Sequence, residues 1–120
     1  METPKIFESE YKFACIVWEK EPVLVKELIQ LCNEELEWKR TTTYTVLKRL
    51  CERGILKNED GIVTSIYSKE QIQYSESKQF LEKTFEGSLP GFMAAFLKNK
   101  KISEKEINEL RQMLDEFENQ

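Results

Sequence analysis

Apolar residues recur along the chain at changing spacings, and each change marks an element. Phe7, Tyr11, Ala14 and Trp18 fall at i, i+4, i+7 and i+11, the stripe of an amphipathic helix. Ser9 or Glu8 stands near its start, where acids suit the helix dipole, and Pro22 ends it. The run PVLV (22–25) has room for one short strand. Val25, Leu28, Ile29, Cys32 and Leu36 then repeat at helical spacing and give a second helix. A third follows in WKRTTTYTVLKRLCERG (38–54), with Gly54 placed to close it at the C′ position. Ile55–Glu59 and Ile62–Ser68 are rich in β-branched residues on either side of Asp60-Gly61, a two-residue hairpin signal.

Residues 1–68 therefore predict helix, strand, helix, helix and hairpin, the order of a winged helix-turn-helix with its third helix in the recognition position. Beyond it, Ile72, Phe80, Leu81 and Phe85 predict a helix over 69–86. GSLPG (87–91) breaks the pattern, FMAAFLKN (92–99) forms a short apolar helix, and Ser103 with Glu106 opens a capping box for a last helix. That helix carries Ile107, Leu110, Met113, Leu114 and Phe117. Stripes on such short helices make a poor core alone. The fold class is thus mainly α with a small β-hairpin wing. A DNA-binding domain (1–68) is followed by a helical dimerisation region (69–120). Ile72, Phe80, Phe85, Phe92, Phe96, Ile107, Leu110, Leu114 and Phe117 are the expected dimer contacts.

The third helix is the odd one. Four threonines and a tyrosine crowd its start, and all are poor helix formers. Advancing by about 100° per residue from Thr42 puts Thr43, Val46, Leu47, Leu50 and Cys51 on one arc. Thr41, Thr42, Thr45, Lys48 and Arg49 share the opposite arc, and Tyr44 sits at the boundary. Threonine hydroxyls and methyls can touch base edges, and a helix N-terminus favours phosphate. Lys39 and Arg40 stand just before the helix, where backbone phosphates would lie.

Charge sharpens this picture. The chain carries a net −4, which argues against a generic polyanion binder. Yet residues 38–57 hold six cations against Glu52, +6 − 1 = +5, leaving −4 − 5 = −9 for the rest. A basic island on an acidic body meets a polyanion on one face only. The wing tip NEDG, with Glu59 and Asp60, is acidic and would be repelled by phosphates; Lys57 alone helps it.

Composition removes other chemistries. The 120 residues, 40% of them hydrophobic, suit one compact domain or a small domain with an attached element. No run approaches the roughly 20 apolar residues of a membrane span. The opening residues mix Glu, Lys and aromatics without the apolar block of a signal peptide, so a cytoplasmic location without membrane insertion is expected. There is no histidine, no CxxC pair, no Walker loop and no GxGxxG. Cys15, Cys32 and Cys51 are expected to be reduced thiols among apolar residues. Neither metal nor cofactor is expected, and an enzyme is not. Glu34 and Glu35 are the best carboxylate pair, but adjacent helical positions point about 100° apart.

The stretches FESEYKFACIVW, PVLVKELIQ, WKRTTTYTVLKRLCERGIL and ISEKEINELRQML resemble the penicillinase and methicillin-resistance repressor family (BlaI/MecI) over about residues 6–115. A Trp followed in register by Thr42, Thr45, Leu47, Arg49, Leu50, Gly54 and Leu56 is the specific part. The resemblance implies a bacterial transcriptional repressor that binds an inverted-repeat operator in double-stranded DNA as a homodimer. Lys39, Arg40, Thr41, Thr42, Tyr44, Thr45, Lys48 and Arg49 would form its DNA-binding set. It also implies a membrane sensor of β-lactams that acts indirectly, through cleavage in the C-terminal region. The family's cut follows an Asn before a Phe, and the matching positions here are Ala95 and Phe96. The family's threonine at the start of the second helix is Leu24 here, so that cap must come from elsewhere. Copper-responsive relatives carry a C-terminal cysteine cluster that this tail lacks. A second reading stays open, a winged-helix interaction module whose basic face meets an acidic protein.

Overall fold

The structure, a computed structural model, describes residues 3–99 and 101–120. The elements run α1 (Glu8–Lys20), β1 (Val23–Leu24), α2 (Val25–Leu36), α3 (Arg40–Glu52), β2 (Leu56–Glu59), β3 (Ile62–Ser65), α4 (Lys69–Phe85), α5 (Leu89–Asn99) and α6 (Glu104–Glu118). They divide into two compact units, 1–77 and 78–120. The division falls within α4 rather than in the loop before it, because Ile72 on its first turns is buried in the first core at 1% exposure.

In the first unit, the inward stripes of three helices and the sheet meet in one apolar cluster. Phe13, Ala14 and Val17 of α1, Leu28 and Cys32 of α2, and Val46, Leu47 and Leu50 of α3 form it with Val23, Ile55, Leu56 and Val63. The sheet is antiparallel in the order β1-β3-β2, with Val23 opposite Val63 and Asn58 also opposite Val63 from the other side. Asp60 and Gly61 both have positive φ (53° and 84°), the turn that fits the twist of a two-residue hairpin. Asn58 Oδ1 accepts the Gly61 N–H at 3.0 Å and tightens it.

The strands are shorter than the β-branched runs. Ile55 closes α3 instead of opening β2: its N–H donates to Leu50 O at 2.9 Å, while Gly54 N–H donates to Cys51 O at 3.0 Å. With Gly54 at φ +75°, this is a Schellman closure. At the other end, Glu21 accepts both the N–H and the hydroxyl of Ser65, tying the end of α1 to β3. The missing threonine cap of α2 is replaced by the hairpin: the Val25 N–H donates to Gly61 O at 2.9 Å.

The second unit comprises the end of α4, α5 and α6. Its helix α5 starts three residues before the apolar run, at Leu89, because Ser88 caps it by accepting the Gly91 N–H at 2.9 Å. Pro90 is tolerated in that first turn, whose N–H groups have no intrahelical partner. Phe85 and Phe92 meet edge-on at 5.5 Å, with Phe80 and Phe96 around them. No residue of α5 or α6 is buried. Among the described residues, no helix is long and apolar enough to cross a membrane, and no His, Cys, Asp and Glu cluster could hold a metal ion.

Candidate nucleic-acid interface

The candidate interface is built on α3 and the turn before it. That turn is fixed by backbone and aromatic contacts. Trp38 N–H donates to Cys32 O and Asn33 Nδ2 donates to Trp38 O, each at 3.2 Å. The Trp38 ring stacks on Phe13 of α1, with centroids 5.9 Å apart and planes 10° apart. Glu37, at φ 57°, makes the left-handed step between the two helices.

The outward face carries the expected residues. Thr41, Thr42, Thr45, Lys48 and Arg49 are exposed, whereas Thr43, Val46, Leu47 and Leu50 are buried. Tyr44, the boundary case, lies outside at 44% exposure with the Arg40 guanidinium over its ring at 5.6 Å. Lys39 and Arg40 are exposed at the helix start.

The helix start is electrostatically bare. Lys39 occupies the N-cap and offers no side-chain hydrogen bond, and the first turn holds no acid. Other helices differ: α1, α2, α4 and α6 have glutamates in their first turns, and α5 has Ser88. The first N–H groups of α3 and its positive dipole end therefore face outward beside two cations, an arrangement suited to phosphate.

The threonines are not equivalent. Thr45 donates its hydroxyl proton to Thr41 O at 2.9 Å, so it can offer a partner only its lone pairs and its methyl. Buried Thr43 points to Lys39 O at 3.4 Å. Thr41 and Thr42 make no side-chain hydrogen bond among the described residues.

The basic island is smaller than its charge count. Arg53 faces inward and pairs with Glu10, a residue of α1 that is 4% exposed. Lys57 pairs with Glu59 at 2.8 Å, leaving the wing no unpaired cation. Lys48 lies 4.0 Å from Glu52, an exposed contact of little strength. Lys39, Arg40 and Arg49 make no ion pair among the described residues. No spacing rule in the sequence marks Glu10 and Arg53 as partners, since they are 43 residues apart.

The cysteines lie on α1, α2 and α3 and form no disulfide. Burial pushes the Cys32 thiol up to about 11, against a hydrogen bond with Thr43, and burial also raises Cys51. Both are packing groups rather than nucleophiles at neutral pH.

The residues expected at a dimer contact fall into two groups. Ile72 belongs to the first unit's core and has no surface to offer a partner. Phe80, Phe96, Ile107, Leu110, Leu114 and Phe117 are exposed, the last at 75%, and Phe85 and Phe92 are half-buried in the aromatic cluster. Within the second unit, Met93, Leu97, Ile102, Leu110 and Leu114 line an apolar groove between α5 and α6. Ala95 and Phe96 are exposed in the second half of α5.

Comparison with known proteins covers almost the whole chain. The sequence model of a family described as "Penicillinase repressor" matches residues 6–116. The chain is 29% identical over 120 residues to the penicillinase repressor of Bacillus licheniformis, covering 97% of this chain and 94% of that protein. It is 27% identical over 117 residues to the methicillin resistance regulatory protein MecI of Staphylococcus aureus strain Mu50, with 94% and 95% covered. An uncharacterised 16.5 kDa protein of Latilactobacillus sakei is 28% identical over 116 residues, with 93% and 80% covered.

Proposed function

Because this chain belongs to the penicillinase repressor family, whose members are transcriptional repressors and not enzymes, we propose that it represses transcription by reading a specific DNA operator with α3. The observation that carries this is the outward face of α3: exposed Thr41, Thr42, Thr45 and Arg49, behind a bare helix start flanked by Lys39 and Arg40. Hydroxyls, methyls and one guanidinium are groups that read base edges in a major groove. Lys39, Arg40, Tyr44 and Lys48 hold phosphates and set the register.

A homodimer formed by 78–120 presents two copies of α3 to successive major grooves, about 34 Å apart, so the operator is an inverted repeat. The apolar surface of α5 and α6 that no other part of their own unit covers supports this arrangement. The names of the relatives point to antibiotic-resistance genes as the class of target. The repressor works in the cytoplasm, where its operator lies, and a membrane sensor acts on it indirectly. Release by cleavage at Ala95–Phe96 needs α5 to open first, because a protease binds extended backbone and this bond lies within a helix.

Selection from a random duplex library, with excess competitor DNA, tests the central reading. Enrichment of a twofold-symmetric sequence is expected, with binding that weakens steeply as salt rises. Equal retention of all duplexes would instead return the basic face to an acidic protein partner.

A further inference from the structure

Arg53 closes α3 at the end opposite to the reading threonines, and its side chain leaves the DNA face altogether. Its Nη1 donates to the Lys5 carbonyl at 2.7 Å and its Nη2 donates to Glu10 Oε2. The guanidinium also lies over the Phe7 ring, 5.5 Å from its centroid. Glu10 is fully engaged in turn, since its Oε1 accepts the Phe7 N–H at 2.9 Å. One planar fork thus ties the C-terminus of α3 to the segment preceding α1 and to the first turn of α1.

We infer that the Arg53–Glu10–Lys5 clamp positions α3 for sequence recognition, setting the angle at which its threonines and Arg49 meet the bases. The inference rests on the reading of α3 as the DNA-reading helix. Most of the rest of the grip on α3 is apolar contact through Val46, Leu47 and Leu50, which is non-directional; buried Thr43, against Cys32 of α2, adds one polar contact near the start of the helix. A guanidinium fork with two hydrogen bonds has fixed geometry. At the other end of the helix, Trp38 is held by Phe13, three residues from Glu10 on the same helix. Helix α1 therefore holds both ends of α3 and acts as its splint. From Thr41 to Arg53 the helix is about 18 Å long at about 1.5 Å per residue, so a tilt of about 5° at the clamp moves the threonines by about 1.5 Å. Functional groups need to be held within about 0.5 Å of their working geometry.

The test separates positioning from stability. In Glu10→Met/Arg53→Met both partners of a part-buried ion pair become apolar together, a change that leaves many proteins folded. The probes are the best duplex selected by the wild-type chain and a scrambled duplex of equal length. Thermal melting should stay near wild type. Affinity for the selected duplex should fall at least tenfold, while affinity for the scrambled duplex and the slope of binding against salt stay unchanged. Arg53→Lys, which keeps the charge but not the fork, should lose selectivity in the same direction, and it carries the test if the double variant fails to fold. Unchanged selectivity in a folded variant overturns the clamp. So does a smaller salt slope with equal loss on both duplexes, which would make Arg53 a phosphate contact. A wild-type chain that selects no sequence removes the premise, whereas a selecting wild type with equally selective variants removes only the clamp.

Discussion

Thr45 shows how a single hydrogen bond redefines a proposed contact residue. Its proton is held by Thr41 O, so its methyl is the group best placed to discriminate bases. Thr45→Val should keep affinity for a selected duplex within about threefold, and Thr45→Ser should lose roughly fivefold, near the worth of one buried methyl. A larger loss for Val than for Ser, read by fluorescence anisotropy, would assign the contact to the hydroxyl. Glu10 gives a second prediction at this scale. Burial alone would raise its carboxyl, but hydrogen bonds from Arg53 and the Phe7 N–H, with the charges of Arg53 and Arg49, outweigh it and hold it below the ordinary value. A depressed folded value means that the pair stabilises the protein above the unfolded carboxyl's range, near pH 4.3, and that this is lost as pH falls through the folded value. Glu10→Gln should cost about 2 kcal/mol at pH 7, the worth of a hydrogen bond to a charged group, and should flatten the fall in stability below the unfolded carboxyl's range, checked by urea unfolding at each pH. The outward sorting of Thr41, Thr42 and Thr45 was legible from helical angles alone. The Glu10–Arg53 pair was not, because only the packing of α1 against α3 brings the two together.

Elements follow the hydrophobic spacing closely in the first unit and depart from it at their ends. Helix α2 coincides with its apolar repeat, and the Asp60-Gly61 turn forms where the dipeptide predicts it. Ends depend on hydrogen bonds that spacing does not encode. Ile55 is taken by the closure of α3, which shortens β2, and β3 ends at Ser65, whose N–H donates to Glu21. Ser68 and Gln71 do form a reciprocal box at the start of α4, at 2.8 Å and 3.1 Å, and their spacing was a readable signal. Gly54 is a position at which an element end depends on one residue. No atom lies within 4 Å of where its Cβ would stand, so an added methyl meets only the penalty of the left-handed backbone. Gly54→Ala should therefore lower stability by about 1 kcal/mol with an unchanged denaturant slope. A drop of several kcal/mol in urea unfolding would mean that the closure also supports packing elsewhere.

The whole molecule combines a unit with one apolar core and a unit whose last two helices hold no fully buried residue. Ile72 marks where apolar periodicity misleads: its place in a helical stripe put it with the dimer contacts, and only the fold shows that it fills the first core. The rest of that set carries the proposed dimer. Leu114→Glu should raise the dimer dissociation constant about 100-fold, because a charge in a buried apolar contact has no partner. Sedimentation equilibrium should then show a monomer whose first unit stays folded; a wild-type monomer at micromolar concentration would remove the dimer altogether. In a dimer every substitution occurs twice. Lys39→Ala should thus weaken binding to all duplexes alike and lower the salt slope by about two. The central claim, that the face of α3 reads sequence, is tested most directly by the ratio of affinities for a selected and a scrambled duplex in Thr42→Ala/Arg49→Ala. The ratio should collapse towards one while weak, salt-sensitive binding persists; a ratio that survives the double substitution would contradict α3 as the reading element.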